Sequence, residues 1–277
     1  MTYSLLDSGS GRKLEKFGEF TLVRPCAQAV WRPRLPQQEW AKAHAIFTRD
    51  EGYKWIINAK IPTTWNVSVE GVRFKISPTD FGHVGVFPEH YGLWNWFVPL
   101  IKSRKTPPNV LNLFAYSGGA TLAAAQAGAR VCHLDASKGM VAWARENAAL
   151  NQLQDAPIRW IIDDVVKFLK REMRRGMRYE GIILDPPSFG RGSQGEIFKI
   201  ERDLQEILDC CRALLSDNPL FVLLSSHTPG FTPLVMRHLM EQMMQGMSGK
   251  LEEGEMIIPS KCNRALPSGS YGRWSHV

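Results

Sequence analysis

The sequence predicts an α/β protein, with a doubly wound, mostly parallel sheet and a smaller β-rich N-terminal domain. Three observations carry this. From residue 83 onward, short apolar runs alternate with segments of helical period. Several of those runs stop on an acid, as a buried strand does where it emerges at its carboxyl end. Residues 1–82 instead show period-two alternation broken by turn residues, the habit of antiparallel strands. The expected domains are 1–82 and 83–277.

In the first part, EFTLVRP reads as a strand and QQEWAKAHAIF as a short helix. WNVSVEGVRFKIS (65–77) alternates Trp65, Val67 and Val69, then Val72, Phe74 and Ile76, about Glu70-Gly71, which is a hairpin signature. Trp31, Trp40, Trp55 and Trp65 are expected to add buried area. In the second part, VLNLFAY is a buried strand, and SGGATLAAAQAG is a turn followed by a helix. RVCHLDAS is a strand ending in Asp135, and Ser137 caps the helix KGMVAWARENAALNQL. IRWIIDD ends in Asp163-Asp164, VVKFLKREMRR is a helix, and GIILD is a strand ending in Asp185. ERDLQEILDCCRALL carries apolar residues at 204, 207, 208, 211 and 215 on one face. PLFVLLSS is a strand, LVMRHLMEQMM a helix, and the tail reads as a closing β-hairpin or edge strands.

Composition excludes some classes. The 277 residues offer ample core. No run approaches the roughly 20 apolar residues of a membrane span, and the N-terminus shows no signal-peptide core. The five cysteines are scattered in a pattern that fits neither a zinc site nor a disulfide framework, so a reducing, cytoplasmic setting and no metal are expected. The net charge of +7 is compatible with a polyanionic partner such as RNA, or with a merely basic protein. The segment KFLKREMRRGMR (167–178) is either a phosphate-facing ridge or a solvated helix face.

The chemistry-bearing residues gather at predicted strand ends, where such sheets bind ligands. Gly118 and Gly119 follow the first parallel strand and open a helix, whose N-terminus favours a polar ligand. The run is neither a phosphate-binding loop nor a complete dinucleotide fingerprint, and an ordinary strand-to-helix turn also favours glycine. Asp135 can accept hydrogen bonds from both hydroxyls of a ribose. An acid at the third tip can accept from an adenine amino group. The fourth tip, Asp185-Pro186-Pro187-Ser188-Phe189, is stiff, because neither proline can donate and each restricts its predecessor. Phe189 offers a stacking face for a flat target, with Asp185 and Ser188 on its polar edge.

This order of features resembles a class I S-adenosylmethionine (SAM)-dependent methyltransferase. GVFPEH, VLNLFAYSGGATLAAAQAGA, NAALNQL, DDVVKFL and IILDPPSFGRG resemble, more closely, the bacterial large-subunit ribosomal RNA methyltransferases, which include cytosine-C5 and guanine-N7 enzymes. The match covers roughly residues 83–230; the β-rich part resembles that group's substrate-side domain, and the PUA domain that some members carry in front has no counterpart. The resemblance implies a Rossmann-like fold, SAM as cofactor and a ribosomal RNA substrate. It implies that Phe114, Ala115, Tyr116, Ser117 and Gly118 line the methionine end of SAM. Asp135 and Ala136 would lie at the ribose, Asp163 and Asp164 at the adenine edge, and Pro88 and Glu89 on the carboxylate side. In that last segment Tyr91 stands where the family often has Arg.

Methylation of cytosine C5 needs a thiolate nucleophile. The resembled C5 enzymes carry one in a Ser-Cys-Ser-like stretch after the fifth strand, where this chain has Ser225-Ser226-His227. Cys211 falls on an apolar stripe and Cys210 on its flank. Transfer to a base nitrogen needs only an aimed lone pair and an acceptor for a departing proton. Asp185 can serve, and His227 either assists or is structural. The expectation is therefore N-methylation of an RNA base. A protein or small-molecule acceptor, cytosine C5, a non-catalytic SAM- or RNA-binding protein and a nicotinamide oxidoreductase stand as competing readings.

Overall fold

The computed structural model describes residues 2–49, 52–191 and 197–276. Gly192, at the end of the glycine-rich stretch after Phe189, lies outside them. The chain forms two compact units, Met1–Tyr91 with Ile257–Ser268, and Gly92–Met256 with Gly269–Val277. The sequence reading divides the chain once, at residue 82. Here the division lies at Tyr91, and a late segment returns to the first unit. Contacts between residues far apart in sequence produce that return, so local patterning does not reveal it.

The first unit holds a five-stranded sheet in the order β1 to β5. Strands β1 (Tyr3–Gly9) and β2 (Arg12–Phe17) form a hairpin, and β3 (Phe20–Pro25) continues it antiparallel. Helix α1 (Gln37–Ala41) then leads to β4 (Ala45–Thr48), parallel to β3, and β5 (Lys54–Ile57) closes the edge. The helix predicted over QQEWAKAHAIF thus stops at Ala41. The apolar Ala45-Ile46-Phe47 that follows is recruited into the sheet, because its partner strand decides its state. Strands β6 (Trp65–Val69) and β7 (Val72–Ile76) are the expected hairpin, with Glu70 and Gly71 both at positive φ. Val67, Val69, Val72, Phe74 and Ile76 are all buried.

A buried ion pair and a set of indole N–H bonds tie the interior of this unit together. The buried Glu15 takes a two-pronged bond from Arg24, Nε to Oε2 at 2.7 Å and Nη2 to Oε1 at 2.9 Å. Tyr3 donates to it at 3.0 Å, and Lys13 lies 3.2 Å away. Burial alone would raise the Glu15 pKa, but Arg24 and Lys13 hold it down to about 2. The four N-terminal tryptophans each aim the ring N–H at an acceptor: Trp31 at Ser8, Trp40 at Asp7, Trp55 at Thr79 and Trp65 at Phe17.

The second unit begins at Gly92, within helix α2 (Tyr91–Lys102), which the sequence reading does not include because Pro99 interrupts its pattern. Strand β8 (Asn109–Leu113), helix α3 (Gly119–Gln126), strand β9 (Arg130–Asp135), helix α4 (Lys138–Leu150) and strand β10 (Ile158–Ile162) follow. Next come helix α5 (Val165–Arg174), strand β11 (Gly181–Leu184) and a small antiparallel pair, β12 (Phe189–Arg191) with β13 (Ile197–Lys199). Helix α6 (Ile200–Leu214), strand β14 (Phe221–Ser226) and helix α7 (Pro233–Met243) lead to β15 (Lys250–Ile258) and β16 (Leu266–Ser275).

The seven-stranded sheet runs β10-β9-β8-β11-β14-β16-β15. Strands β8 to β14 in it are parallel, and β16 joins β14 antiparallel. This is the expected fold, and the tail supplies its edge. The chain winds outward from β8 first toward β10 and then, from β11, the other way. The switch point is therefore between β8 and β11, where the carboxyl ends leave a crevice. Strand β11 is buried along its whole length. Helix α6 buries four residues of the predicted stripe, Leu204, Ile207, Leu208 and Cys211; the fifth, Leu215, is also buried but is the extended residue that ends the helix. Cys210, on the flank of that stripe, is buried as well, and burial pushes both thiols up.

Candidate functional site at the strand ends

The turn after β8 is held in a costly shape. Phe114 (φ 57°), Tyr116 (φ 51°) and Gly118 (φ 93°) are all left-handed. For non-glycine residues this costs about 1–3 kcal/mol each and persists only where neighbours enforce it. The enforcing contacts can be named. The Ala115 N–H bonds the Leu134 carbonyl at 3.0 Å, and the Gly118 N–H bonds the Ala115 carbonyl at 3.0 Å. The Tyr116 N–H donates to Asp135 Oδ2 at 2.9 Å, and Asn147 Nδ2 donates to the Ser117 carbonyl at 2.9 Å. Beneath the turn, Asn112 donates to Thr121 at 2.8 Å, and Thr121 Oγ1 lies 2.9 Å from His133 Nδ1. Burial lowers the His133 pKa to about 3, so this histidine stays neutral. Gly119 packs against Trp94, whose Cζ2 would lie 2.6 Å from any added Cβ.

Asp135 ends β9. Its second oxygen accepts the Ser137 N–H at 2.9 Å. Burial pushes the carboxyl up, while the backbone bonds from Ser137 and Tyr116 pull it down. Each carboxylate oxygen has two lone pairs, so both can accept further donors. Ala136 beside it is exposed. At the third tip the two acids differ. Asp163 pairs with Arg171 at 2.6 Å and accepts the Asp164 N–H at 2.9 Å. Asp164 caps α5 by accepting from the Lys167 N–H at 2.9 Å through Oδ1. That duty was not part of the expectation for Asp164, but one cap bond leaves the carboxylate acceptor capacity.

At the fourth tip Ser225 donates to Asp185 Oδ1 at 2.7 Å, and Ser188 and Thr228 share a hydroxyl bond of 2.7 Å. Pro186 is buried, while Pro187 and Ser188 are exposed and Phe189 is 49% exposed. Phe198 on β13 lies 5.3 Å from the Phe114 ring. A ring nitrogen of His227 and a carboxylate oxygen of Asp185 lie within 4.8 Å of each other. Ser226, at the expected cysteine position, is buried and accepts from the Thr228 N–H at 3.1 Å.

The structure thus brings Phe114, Ala115, Tyr116, Ser117, Gly118, Asp135, Ala136, Asp163 and Asp164 to the ends of β8, β9 and β10. Asp185 to Phe189 stand at the end of β11. Pro88 and Glu89 belong to the first unit, where both are buried in a single 3-10 turn, Pro88–His90. Sequence reasoning missed Asn147, Thr121, His133, Ser225 and Thr228. A signal was present for three of them. Asn147 shares the apolar stripe of α4 with Val141 and Ala144, His133 interrupts an apolar strand, and Ser225 ends one. The basic segment 167–178 is knit into ion pairs: Lys170 to Glu206, Arg171 to Asp163 and Arg175 to Glu172. That pairing favours the solvated-face reading.

A left-handed turn after β8 and acids at the ends of β9, β10 and β11, on either side of the switch point, are the arrangement of an α/β protein that takes its ligand at the strand ends. Comparison with known proteins agrees. The family model for S-adenosylmethionine-dependent methyltransferases matches residues 36–233, and the chain belongs to that family. A crystal structure of the SAM-dependent methyltransferase from Agrobacterium tumefaciens superposes with a TM-score of 0.94 at 42% identity, covering 99% of this chain and 90% of that one. The ribosomal RNA large subunit methyltransferase K/L of Shewanella frigidimarina is 35% identical over 150 residues, 53% of this chain. The chain spans only 20% of that relative's length. The M. jannaschii tRNA m1G37 methyltransferase shares the fold, with a TM-score of 0.58 at 13% identity over 95% of this chain and 71% of that one. The protein is a SAM-dependent methyltransferase, and SAM is its cofactor.

Proposed function

We propose that this enzyme methylates a ring or exocyclic nitrogen of an RNA base, with ribosomal RNA as the substrate class and the cytoplasm as its place. The carrying observation is the β11 tip, where a rigid Asp-Pro-Pro-Ser presents a carboxylate and a hydroxyl beside the half-exposed ring of Phe189.

The donor set fits the cofactor. Asp135 would take the ribose hydroxyls, Asp164 the adenine amino group, and the strained turn Phe114–Gly118 the methionine end. SAM supplies an electrophilic methyl group. The protein's own residues then have three tasks. Phe189 stacks on the extruded base and sets its plane. Ser188 and Asp185 hydrogen-bond its polar edge and aim the nitrogen lone pair. Asp185 accepts the proton that an exocyclic amino nitrogen gives up, with His227 nearby as a second acceptor. A buried serine hydroxyl at position 226 is no substitute for a thiolate, which favours nitrogen over cytosine C5.

Two further facts support an RNA acceptor. Curated relatives are named for ribosomal RNA. The first unit carries fourteen Lys and Arg against nine Asp and Glu, so it holds five of the seven net positive charges. Free cysteines accord with a reducing compartment, and no helix among the described residues is long and apolar enough to cross a membrane. The test is methyl transfer from radiolabelled SAM into total RNA from cells lacking the gene, and separately into their protein fraction. RNase-sensitive label recovered as an N-methylated nucleoside is expected, with loss of transfer in Asp185→Asn. Protease-sensitive label, or 5-methylcytosine as the product, would overturn the reading.

A further inference from the structure

Strands β11 and β14 pair in parallel with a constant offset of forty residues, from Gly181↔Phe221 to Leu184↔Leu224. The backbone ladder stops there, because Pro186 and Pro187 have no N–H to give. The offset does not stop. Ser225 bonds Asp185 and Thr228 bonds Ser188, each pair again forty residues apart and each bond 2.7 Å long. Side chains supply the rungs where the backbone is unable to.

We infer that Ser225 and Thr228 are positioning residues of the methyl-transfer site, which fix the carboxylate of Asp185 and the hydroxyl of Ser188. This rests on the role proposed above for the β11 tip. Both are placed for the task. Ser225 and Thr228 are 2% and 7% exposed, so packing restricts their own rotamers. Strand β14 is anchored from its other side by β16, with Ser225 opposite Tyr271 and Ser226 opposite Ser270. Thr228 is tied down further: its N–H donates to Ser226 Oγ at 3.1 Å, and its carbonyl accepts from Phe231 at 3.1 Å. Ser225 Oγ also lies 3.4 Å from the Leu184 carbonyl, so it spans the last backbone acceptor of β11 and the first side chain beyond it. A carboxylate at a strand end otherwise turns about two side-chain bonds. A donor from a held neighbour fixes its plane, and so the direction in which it meets a base.

The test uses the full-length enzyme and four variants: Ser225→Ala, Thr228→Val, Thr228→Ser and Asp185→Asn. Thr228→Val keeps the shape and deletes the hydroxyl, whereas Thr228→Ser keeps the hydroxyl. Transfer from radiolabelled SAM into total RNA from cells lacking the gene, and into their protein fraction, gives kcat. Calorimetric titration with SAM gives Kd, and thermal melting reports the fold. In Ser225→Ala and Thr228→Val, kcat is expected to fall roughly 10- to 100-fold, as for other residues that orient catalytic groups. SAM affinity should stay within about twofold, too small a change to count against a binding energy, and Thr228→Ser should recover most of the lost rate. Should Ser225→Ala fail to fold, the Thr228 pair decides. If Asp185→Asn loses activity while Ser225→Ala and Thr228→Val keep it, the rungs are packing only and the inference falls alone. If Asp185→Asn stays active, or the wild type labels neither fraction, both readings fall.

Discussion

Replacing Asn147 by alanine should weaken SAM binding without slowing turnover at saturation. Asn147 is fully buried on α4, and its amide donates to the Ser117 carbonyl at 2.9 Å. That carbonyl lies between Tyr116 and Gly118, both left-handed. A buried hydrogen bond contributes about 1 kcal/mol net. The strain it opposes at Tyr116 alone is about 1–3 kcal/mol. Losing the bond shifts the turn toward its relaxed shape by about 1 kcal/mol, a factor of about five, so the apparent Kd should rise up to about fivefold. An interaction lost equally from the bound ground state and the transition state raises KM and spares kcat. Calorimetric titration with SAM measures the Kd, and RNA methylation at saturating SAM measures kcat. Asn147→Asp, which keeps the shape but sets a carboxylate against the carbonyl, should bind more weakly still. An Asn147→Ala enzyme that melts like the wild type and binds SAM equally well would refute the argument.

Three further outcomes are expected. The folded pKa of Glu15 is about 2, below its ordinary value of 4.5, so its contribution is complete above pH 4.5 and is lost as pH falls toward 2. At about 1.4 kcal/mol per unit this is of the order of 3 kcal/mol. The urea midpoint of Glu15→Gln should therefore fall well below that of the wild type at pH 7 and converge with it in acid; parallel curves would sink the idea. Gly119→Ala places a Cβ 2.6 Å from the buried Trp94 ring, and should cost about 1–3 kcal/mol in thermal stability together with SAM affinity. Phe189→Ala should lose about 1–3 kcal/mol of RNA binding through lost stacking, read as a raised KM for RNA at unchanged SAM Kd; a normal KM would remove Phe189 from the substrate face.

Much of the fold was legible because strand and helix periods are local. The stripe of α6, the Glu70-Gly71 hairpin and the Ser137 cap all appear as read, since each rests on neighbours within a few residues. Helix α2 and the short reach of α1 were not legible. A proline inside a helix and a β-forming run after one are decided by what packs on them. The candidate site divides in the same way. Asp135, Asp164 and the Asp-Pro-Pro-Ser-Phe tip announce themselves by ending apolar strands, and the turn at 114–118 by its glycines. The residues that brace them come from elsewhere: Asn147 from a helix thirty residues beyond Ser117, and Ser225 on β14 and Thr228 in the loop after it, each forty residues beyond its partner, Asp185 or Ser188. By itself the sequence determined the strand-end residues and the order of the elements, because burial and turn chemistry act locally. Only the tertiary structure decided which side chains hold them, because parallel pairing carries no signal along the chain and registers are settled when the whole sheet closes.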